Sequence, residues 1–291
     1  MIFLVLPEVE LLDLAGPLQA FAEARSRVVV CSTRERVRSA QGVWLADLAP
    51  LPDPAANDLI VVPGMPYDAT QRIDRHAIRW LKKAADAGAH IASVCTGAFV
   101  LGEAGLLAGR RCTTHWSRID ELQRRYRDAR VLENRLFVTD GSITTSAGIA
   151  SGIDMALALI EGARGPIAAA EIAREMVVYI RRDGAQRQQS VYLDYRTHLQ
   201  PGIHRVQDAL VQNPMKRATI EQLAGVAGMS ARNLTRVFRQ VTGISINEFS
   251  TRVRVELART LLHDPSLTMD AVARRCGFSA RQLRRRLGAP P

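Results

Sequence analysis

The chain opens on an unbroken apolar run, MIFLVL at 1–6. Runs of this kind suit strands covered on both faces. Similar runs then alternate with stretches of helical periodicity. ELLDLAGPLQAFAEA at 10–24 predicts a helix with a break near Gly16-Pro17, and 27–33 predicts a strand. DLIVVPG at 58–64 predicts a strand ending in a turn. A helix at 73–87, a strand at 90–95 and a helix at 96–104 follow. A helix at 117–128, strands near 131–138 and 142–146, and helices at 149–162 and 166–181 complete the series. Strands alternating with helices predict an α/β domain, a parallel sheet flanked by helices in the flavodoxin manner. Residues 182–203 lack clear periodicity and contain Pro201-Gly202, which predicts a linker between domains. Whether its Gln/Arg-rich part, 186–189, is plain surface or touches another domain stays open.

Beyond the linker the periodicity is helical throughout. TIEQLAGVAGMSARNLTRVFRQVTG at 219–243 predicts two short helices around a tight turn. Thr219 and Gln222 have capping-box spacing. Gly228 suits a turn that needs positive φ, and Ser230 suits the start of the second helix. Leu234, Val237, Phe238 and Val241 form that helix's apolar face, with Arg232, Asn233, Arg236 and Arg239 on or near the opposite one. This is the pattern of a helix-turn-helix whose second helix enters a major groove. Arg suits guanine edges, Asn suits adenine edges, and both bind phosphate.

The pattern returns 49 residues later, where Ser279-Ala-Arg281-Gln282-Leu-Arg284-Arg285-Arg286-Leu287 aligns with the stretch from Ser230. A repeat on this scale is two copies of one supersecondary unit. A helix starting at Ser245, with Ile246, Phe249, Val253, Leu257 and Leu261 on its apolar face, is expected to hold the copies apart. The second copy passes from Leu287 straight to Gly288, about one helical turn short of the first. Base reading is therefore expected more from Arg232, Asn233 and Arg236 than from Arg281 and Gln282, with the run Arg284-Arg285-Arg286 on phosphate.

Charge sharpens this division. The 291 residues carry a net charge of +10. Residues 201–291 hold 15 Lys and Arg against 6 Asp and Glu, whereas the first 200 hold 24 against 23. The excess marks the C-terminal third as the part that meets a polyanion, double-stranded DNA. The length suggests about two domains. Four cysteines with no C-x-x-C pair suggest neither a zinc site nor a disulfide framework, and a reducing cytoplasm fits. No cofactor motif stands out. No apolar run approaches the roughly 20 residues of a membrane helix, and the first ten residues lack the pattern of a signal peptide.

One stretch of the α/β part carries candidate chemistry. Ser93-Val-Cys95-Thr96-Gly97 passes from strand to helix without a loop, the cysteine counterpart of a nucleophile elbow. A thiol at a helix start is expected to have a lowered pKa. The amides of Thr96 and Gly97 would face a ligand, and Gly64-Met65, at the end of another strand, would add a backbone donor. The plainer alternative is that Cys95 is a small buried residue.

Residues 204–288 resemble the AraC/XylS-type DNA-binding domain, through LAGVAGMSARNLTRVFRQVTG, RVRVELARTLL and VARRCGF. Residues 1–180 resemble the PfpI-like branch of the class I glutamine amidotransferase-like superfamily, through LLDLAGPLQAF, DLIVVPG, SVCTGAFVLGEAGLLAGRRCTTHW and TTSAGIASGIDMAL. The order is that of GlxA-type transcriptional regulators. The resemblance implies an α/β domain at 1–181 that senses a small molecule or forms a homodimer, a linker at 182–203 and a DNA-binding domain at 204–291. Isocyanide hydratase is similar in LLDLAGP and TTHW, which implies that Asp13 partners Cys95 and leaves a Cys-dependent enzyme as the alternative to a regulator. PfpI proteases have His directly after the nucleophile; Thr96 stands there, which speaks against a protease. His115, in the TTHW stretch, is the nearest candidate imidazole, or else a packed, hydrogen-bonded residue.

Overall fold

The computed structural model describes residues 1–178, 181–186, 188, 190–216, 218–262, 264 and 266–287, with Leu193 described by its backbone alone. The chain divides into two units, Met1–Gln188 and Gln189–Pro291.

The first unit is built on a six-stranded sheet. Its strands are β1 (Ile2–Leu4), β2 (Val29–Cys31), β3 (Leu59–Val62), β4 (His90–Val94), β5 (Phe137–Asp140) and β6 (Ile143–Ser146), in the order β2-β1-β3-β4-β6-β5. Five are parallel, and edge strand β5 runs antiparallel to β6, with Phe137 opposite Ser146. The apolar runs follow from burial on both sides. Ile2, Leu4, Ile60, Val62 and Ile91 face one layer with Trp80, Leu81, Phe99 and Leu101. Phe3, Val5, Val61, Ala92 and Val94 face the other with Leu14, Phe21, Met155 and Leu157. The helices are α1 (Leu11–Glu23), α2 (Arg75–Asp86), α3 (Gly97–Glu103), α4 (Ile119–Arg125), α5 (Ala150–Arg164) and α6 (Pro166–Glu175).

Three predicted elements need correction. The break expected near Gly16-Pro17 is absent, since α1 runs through Pro17 from Leu11 to Glu23. The strand expected near 131–138 lies at Phe137–Asp140, because Arg130–Val131 pairs instead with Arg111–Cys112 in a separate ribbon. The helix expected at 166–181 ends at Glu175: Val177 takes φ 54°, which stops a helix. Residues 179–180 lie outside the described residues. Part of 182–203 is ordered as the short helix α7 (Val191–Asp194) and the start of α8 (Pro201–Gln212). Within its Gln/Arg-rich part, Gln186 is buried and Gln188 hydrogen-bonds within the first unit, while 187 and 189 lie outside the described residues.

The second unit is helical. After α8 come α9 (Ile220–Ala227), α10 (Ala231–Thr242), α11 (Ile246–Leu261), α12 (Met269–Arg275) and α13 (Ala280–Leu287). The long α11 serves two small cores. Phe249 and Val253 pack with Val206, Leu223, Leu234 and Phe238. Ala258, Leu257 and Leu261 pack with Val272, Cys276 and Leu283. Among the described residues no helix is long and apolar enough to cross a membrane.

Phe249 sits edge-on to both Tyr195 and Phe238, with ring centroids 5.8 Å apart in each case. Phe249→Ala is expected to destabilise the second unit by about 3–5 kcal/mol. Calorimetry should show the transition of that unit lowered and that of the first unit unmoved.

Candidate functional site

At the carboxyl edge of the sheet, β4 turns into α3 through Cys95 and Thr96. Cys95 takes φ 56°, in the left-handed region that a Cβ disfavours. Its neighbours hold it there: Cys95 N donates to the Ser146 carbonyl at 3.0 Å, and Thr114 Oγ1 donates to the Cys95 carbonyl at 2.8 Å. A methyl group at Gly148 would lie 2.7 Å from Cys95 Sγ, so only glycine fits against the thiol. The next residue, Ile149, has φ 49° and ψ −117°, an outlier for a β-branched side chain. That backbone aims the Ile149 amide at Asp13, whose Oδ1 accepts from it at 2.6 Å.

Asp13, in the first turn of α1, is fully buried. Its Oδ2 has no hydrogen-bond partner of good geometry and lies against Gly64 and Cys95. Burial pushes the carboxyl from its ordinary 3.8 up to about 6, with the Ile149 amide pulling the other way. Burial also raises the Cys95 thiol, and the Asp13 charge raises it further, against the opposing pull of the Thr96 amide. This corrects the expected lowered thiol. The elbow is present, but withdrawal from water disfavours the thiolate more than the helix start favours it.

Asp13, Gly64, Cys95 and Thr96 therefore come together as expected. Met65 does not contribute as expected, because its amide donates to Thr96 Oγ1 at 2.8 Å and that hydroxyl donates to the Met65 carbonyl. Gly97 is fully enclosed against the Val62 carbonyl. His115 is half-buried with Nδ1 2.8 Å from Ser117 Oγ. Burial, then Arg118, lowers its imidazole below the usual range. It lines a hollow of about 200 Å³ with Trp116, Gly148 and Ile149. Gly148, Ile149 and Thr114 were not singled out from the sequence. They lie in the quoted TTSAGIASG and TTHW stretches, but their contacts with Cys95 and Asp13 are tertiary.

In the second unit, Thr219 and Gln222 form the reciprocal cap of α9, with bonds of 3.3 and 2.9 Å. Gly228 turns the chain at φ 68°. Ser230 caps α10, its Oγ accepting from Asn233 N at 3.3 Å. α10 buries Leu234 and Phe238 and exposes Arg232, Arg236 and Arg239, with Thr235 and Gln240 on the same face. Arg236 donates to Asn233 Oδ1 at 2.8 Å and to Gln240 Oε1 at 3.3 Å, which fixes its guanidinium across that face.

On α13 the arginines 281, 284, 285 and 286 are exposed. Gln282 is different: its Oε1 accepts from Ser279 N at 2.9 Å, while Ser279 Oγ accepts from Gln282 N at 3.2 Å. This cap holds the side chain at the start of the helix. The Ser-x-x-Gln spacing already carried the signal. The stretch after Leu287, on which the expected shortening rests, lies outside the described residues.

A groove of about 670 Å³ within this unit is lined by Lys216, Arg254, Arg285 and Arg286, and among the described residues no carboxylate lines it. Arg254 lies 4.9 Å and Arg286 5.8 Å from the centroid of the Phe278 ring. Lys216 and Arg254 were missed in the sequence because they come from segments that meet only in the fold.

These sites define a class: an α/β protein with a buried acid–thiol pair at a strand–helix elbow, joined to a domain with two helix-turn-helix units. The DJ-1/PfpI family profile matches residues 1–162, and a helix-turn-helix domain profile matches residues 223–291. The chain belongs to the DJ-1/PfpI family, and its C-terminal domain is of the AraC type. It is 31% identical over 243 residues to the HTH-type transcriptional regulator CdhR of Pseudomonas aeruginosa, covering 80% of this chain and 70% of that one. It is 36% identical over 161 residues to the isonitrile hydratase of Pseudomonas putida, covering 55% of this chain and 69% of that one. A crystal structure of an AraC family transcriptional regulator from Pseudomonas putida matches with a TM-score of 0.54 at 22% identity, over 60% of this chain and 97% of that one. That match shares the fold.

An acid whose pKa is higher in the folded state binds its proton more tightly there, so stability falls as pH rises from about 4 to about 6. The shift corresponds to about 3 kcal/mol. Asp13→Asn should flatten this fall, as read by denaturant midpoints across that range. Cys95 should react with iodoacetamide at pH 7 more slowly than an unperturbed thiol; faster reaction would contradict the raised pKa.

Proposed function

We propose that this protein is a sequence-specific regulator of transcription that binds double-stranded DNA through its AraC-type domain. In this reading the DJ-1/PfpI domain senses a small molecule and joins two copies into a homodimer in the cytoplasm. One observation carries the reading: two capped helix-turn-helix units present exposed arginines, and Lys216, Arg285 and Arg286 line a groove in the same unit.

The parts divide the work by chemistry. Arg232 and Arg236 are the base readers, since guanidinium groups on the exposed face of a capped helix suit guanine edges. Asn233 positions Arg236 through its Oδ1. Arg239, Arg281, Arg284 and Arg285 meet phosphate, and Lys216 and Arg286 extend that contact along the groove. Ser230 and Ser279 hold the helix starts that approach the backbone. A sensed ligand changes DNA affinity only by binding the two states of the protein differently.

The second reading is a Cys-dependent enzyme, favoured by the Asp13–Cys95 contact and by likeness to the isonitrile hydratase. The raised thiol weighs against it, because a nucleophile of this kind works as the thiolate. We therefore assign Cys95 and Asp13 to the sensing domain without a catalytic role.

Affinity should fall steeply with salt, and Lys216→Ala and Arg286→Ala should each reduce the log–log slope by about 0.9 with specificity unchanged. Arg232→Ala should instead cost about 1–3 kcal/mol on the specific site and little on bulk DNA. Gel-shift titrations over a salt series measure both. Binding that ignores salt would overturn the reading, while Cys95→Ala should bind DNA as well as the native protein does.

A further inference from the structure

Where α2, α3 and α4 meet on the surface of the first unit, the charges do not balance. α2 buries Ala77, Trp80, Leu81 and Ala84 in the core and leaves Arg75 and Arg79 exposed. The two arginines stand four residues apart, neighbours on one face of the helix. They line a hollow of about 390 Å³ together with Thr70, Gln71, Glu103 and Arg125. Ile73 and Ile78 add apolar surface. All of these lining residues lie within 70–125, and all are described.

Arg125 comes from the end of α4 and is fixed in place. Its Nη2 donates to Glu103 Oε1 at 2.6 Å and to the Thr70 carbonyl at 3.3 Å. Glu103 Oε1 also accepts from the Tyr126 hydroxyl at 2.7 Å, so the one carboxylate in the lining is already engaged. Arg75 and Arg79 are not engaged. Among the described residues neither makes an ion pair or a side-chain hydrogen bond. The neighbouring carboxylate, Asp74, accepts from the His76 amide at 2.8 Å and lines a separate hollow with Arg34 and Arg72.

The lining sets the charge of an occupant. Three guanidinium groups stand against one carboxylate, which leaves two positive charges without a counter-charge. Like charges four residues apart on a helix repel. A helix start also favours anions over cations, and Arg75 is the first residue of α2. An anion in the hollow relieves both conflicts. Each guanidinium is a planar fork that can grip two oxygens of a carboxylate or a phosphate. The volume falls at the lower end of the range for small-molecule sites, roughly 300–1,000 Å³.

We propose that this hollow binds a small dianion, a phosphomonoester or a short dicarboxylate, with Arg75 and Arg79 as its principal contacts and Arg125 as a fixed third charge. The site shares no lining residue with the hollow beside His115. The proposal deepens the regulator reading, since it names the class of molecule that the first unit senses, and it rests on that reading for the meaning of the signal. Binding itself depends only on the arginines of the first unit.

Isothermal titration calorimetry of the full chain tests this, in a HEPES buffer of fixed ionic strength at about pH 8, where phosphate is a dianion. The probes are inorganic phosphate and succinate, with acetate as the monoanion control. At least one dianion should bind more than about tenfold tighter than acetate, a factor worth about 1.4 kcal/mol. The tighter of the two tells a phosphomonoester from a dicarboxylate. Arg75→Ala and Arg79→Ala should each weaken that binding roughly tenfold. Both side chains are exposed, so the fold does not depend on them. Arg285→Ala, in the second unit, should leave it unchanged. Binding of neither dianion, equal affinity for acetate, binding that survives both first-unit substitutions, or loss with Arg285→Ala overturns the proposal. Gel shifts on the same variants complete the test. Without a dianion, Arg75→Ala and Arg79→Ala should bind DNA as the native chain does; a reduced salt slope would make the hollow a DNA contact and overturn the proposal. Dianion binding by a chain that binds no DNA would overturn the regulator reading and leave the site standing; DNA binding without dianion binding would do the reverse.

Discussion

A carboxyl group held out of water against a thiol sets the terms for the head of the sheet. Asp13 is enclosed, and its burial is tolerated because Ile149 supplies an amide at 2.6 Å and Oδ2 rests against Cys95 and Gly64. That amide is in place only because Ile149 takes a backbone conformation a β-branched residue ordinarily avoids. The close packing of Gly148 on Sγ follows from the same arrangement. Strain, missing side chains and a raised carboxyl are thus one feature seen from three sides. Its electrostatics oppose a permanently ionised thiol.

The second unit uses a different physics. Its helices are short, and their ends are fixed locally, by Thr219 with Gln222, Ser230 and Ser279 with Gln282. The two cores are small and share α11, so the paired units depend on one helix for their separation. The arginines on these helices face water rather than carboxylates, and the groove beside Phe278 gathers more cations. Exposed arginines set close together on α10 and α13 repel one another in the free protein and become favourable once phosphate is present.

How much was legible in the sequence follows from how local each feature is. The caps, the turn at Gly228 and the two-faced strands depend on neighbours in the chain, and periodicity exposes them. The elbow was visible as a strand that becomes a helix without a loop. The direction of the thiol shift was not, because it depends on how deeply Asp13 and Cys95 are enclosed by segments more than eighty residues apart. The antiparallel β5 was missed for the same reason: register is tertiary, and 131–138 is apolar enough to imitate a longer strand. The Gln282 cap was legible too, since its partner stands three residues away, as Gln222 stands from Thr219.

The most direct test of the account is selection of genomic DNA fragments by the purified full-length protein at near-physiological salt, followed by sequencing of what is retained. The account predicts a small set of enriched fragments that share a motif in two parts, set about one helical turn (about 10.5 base pairs) apart to match two helix-turn-helix units. Retention in proportion to bulk DNA, with no shared motif, would contradict it.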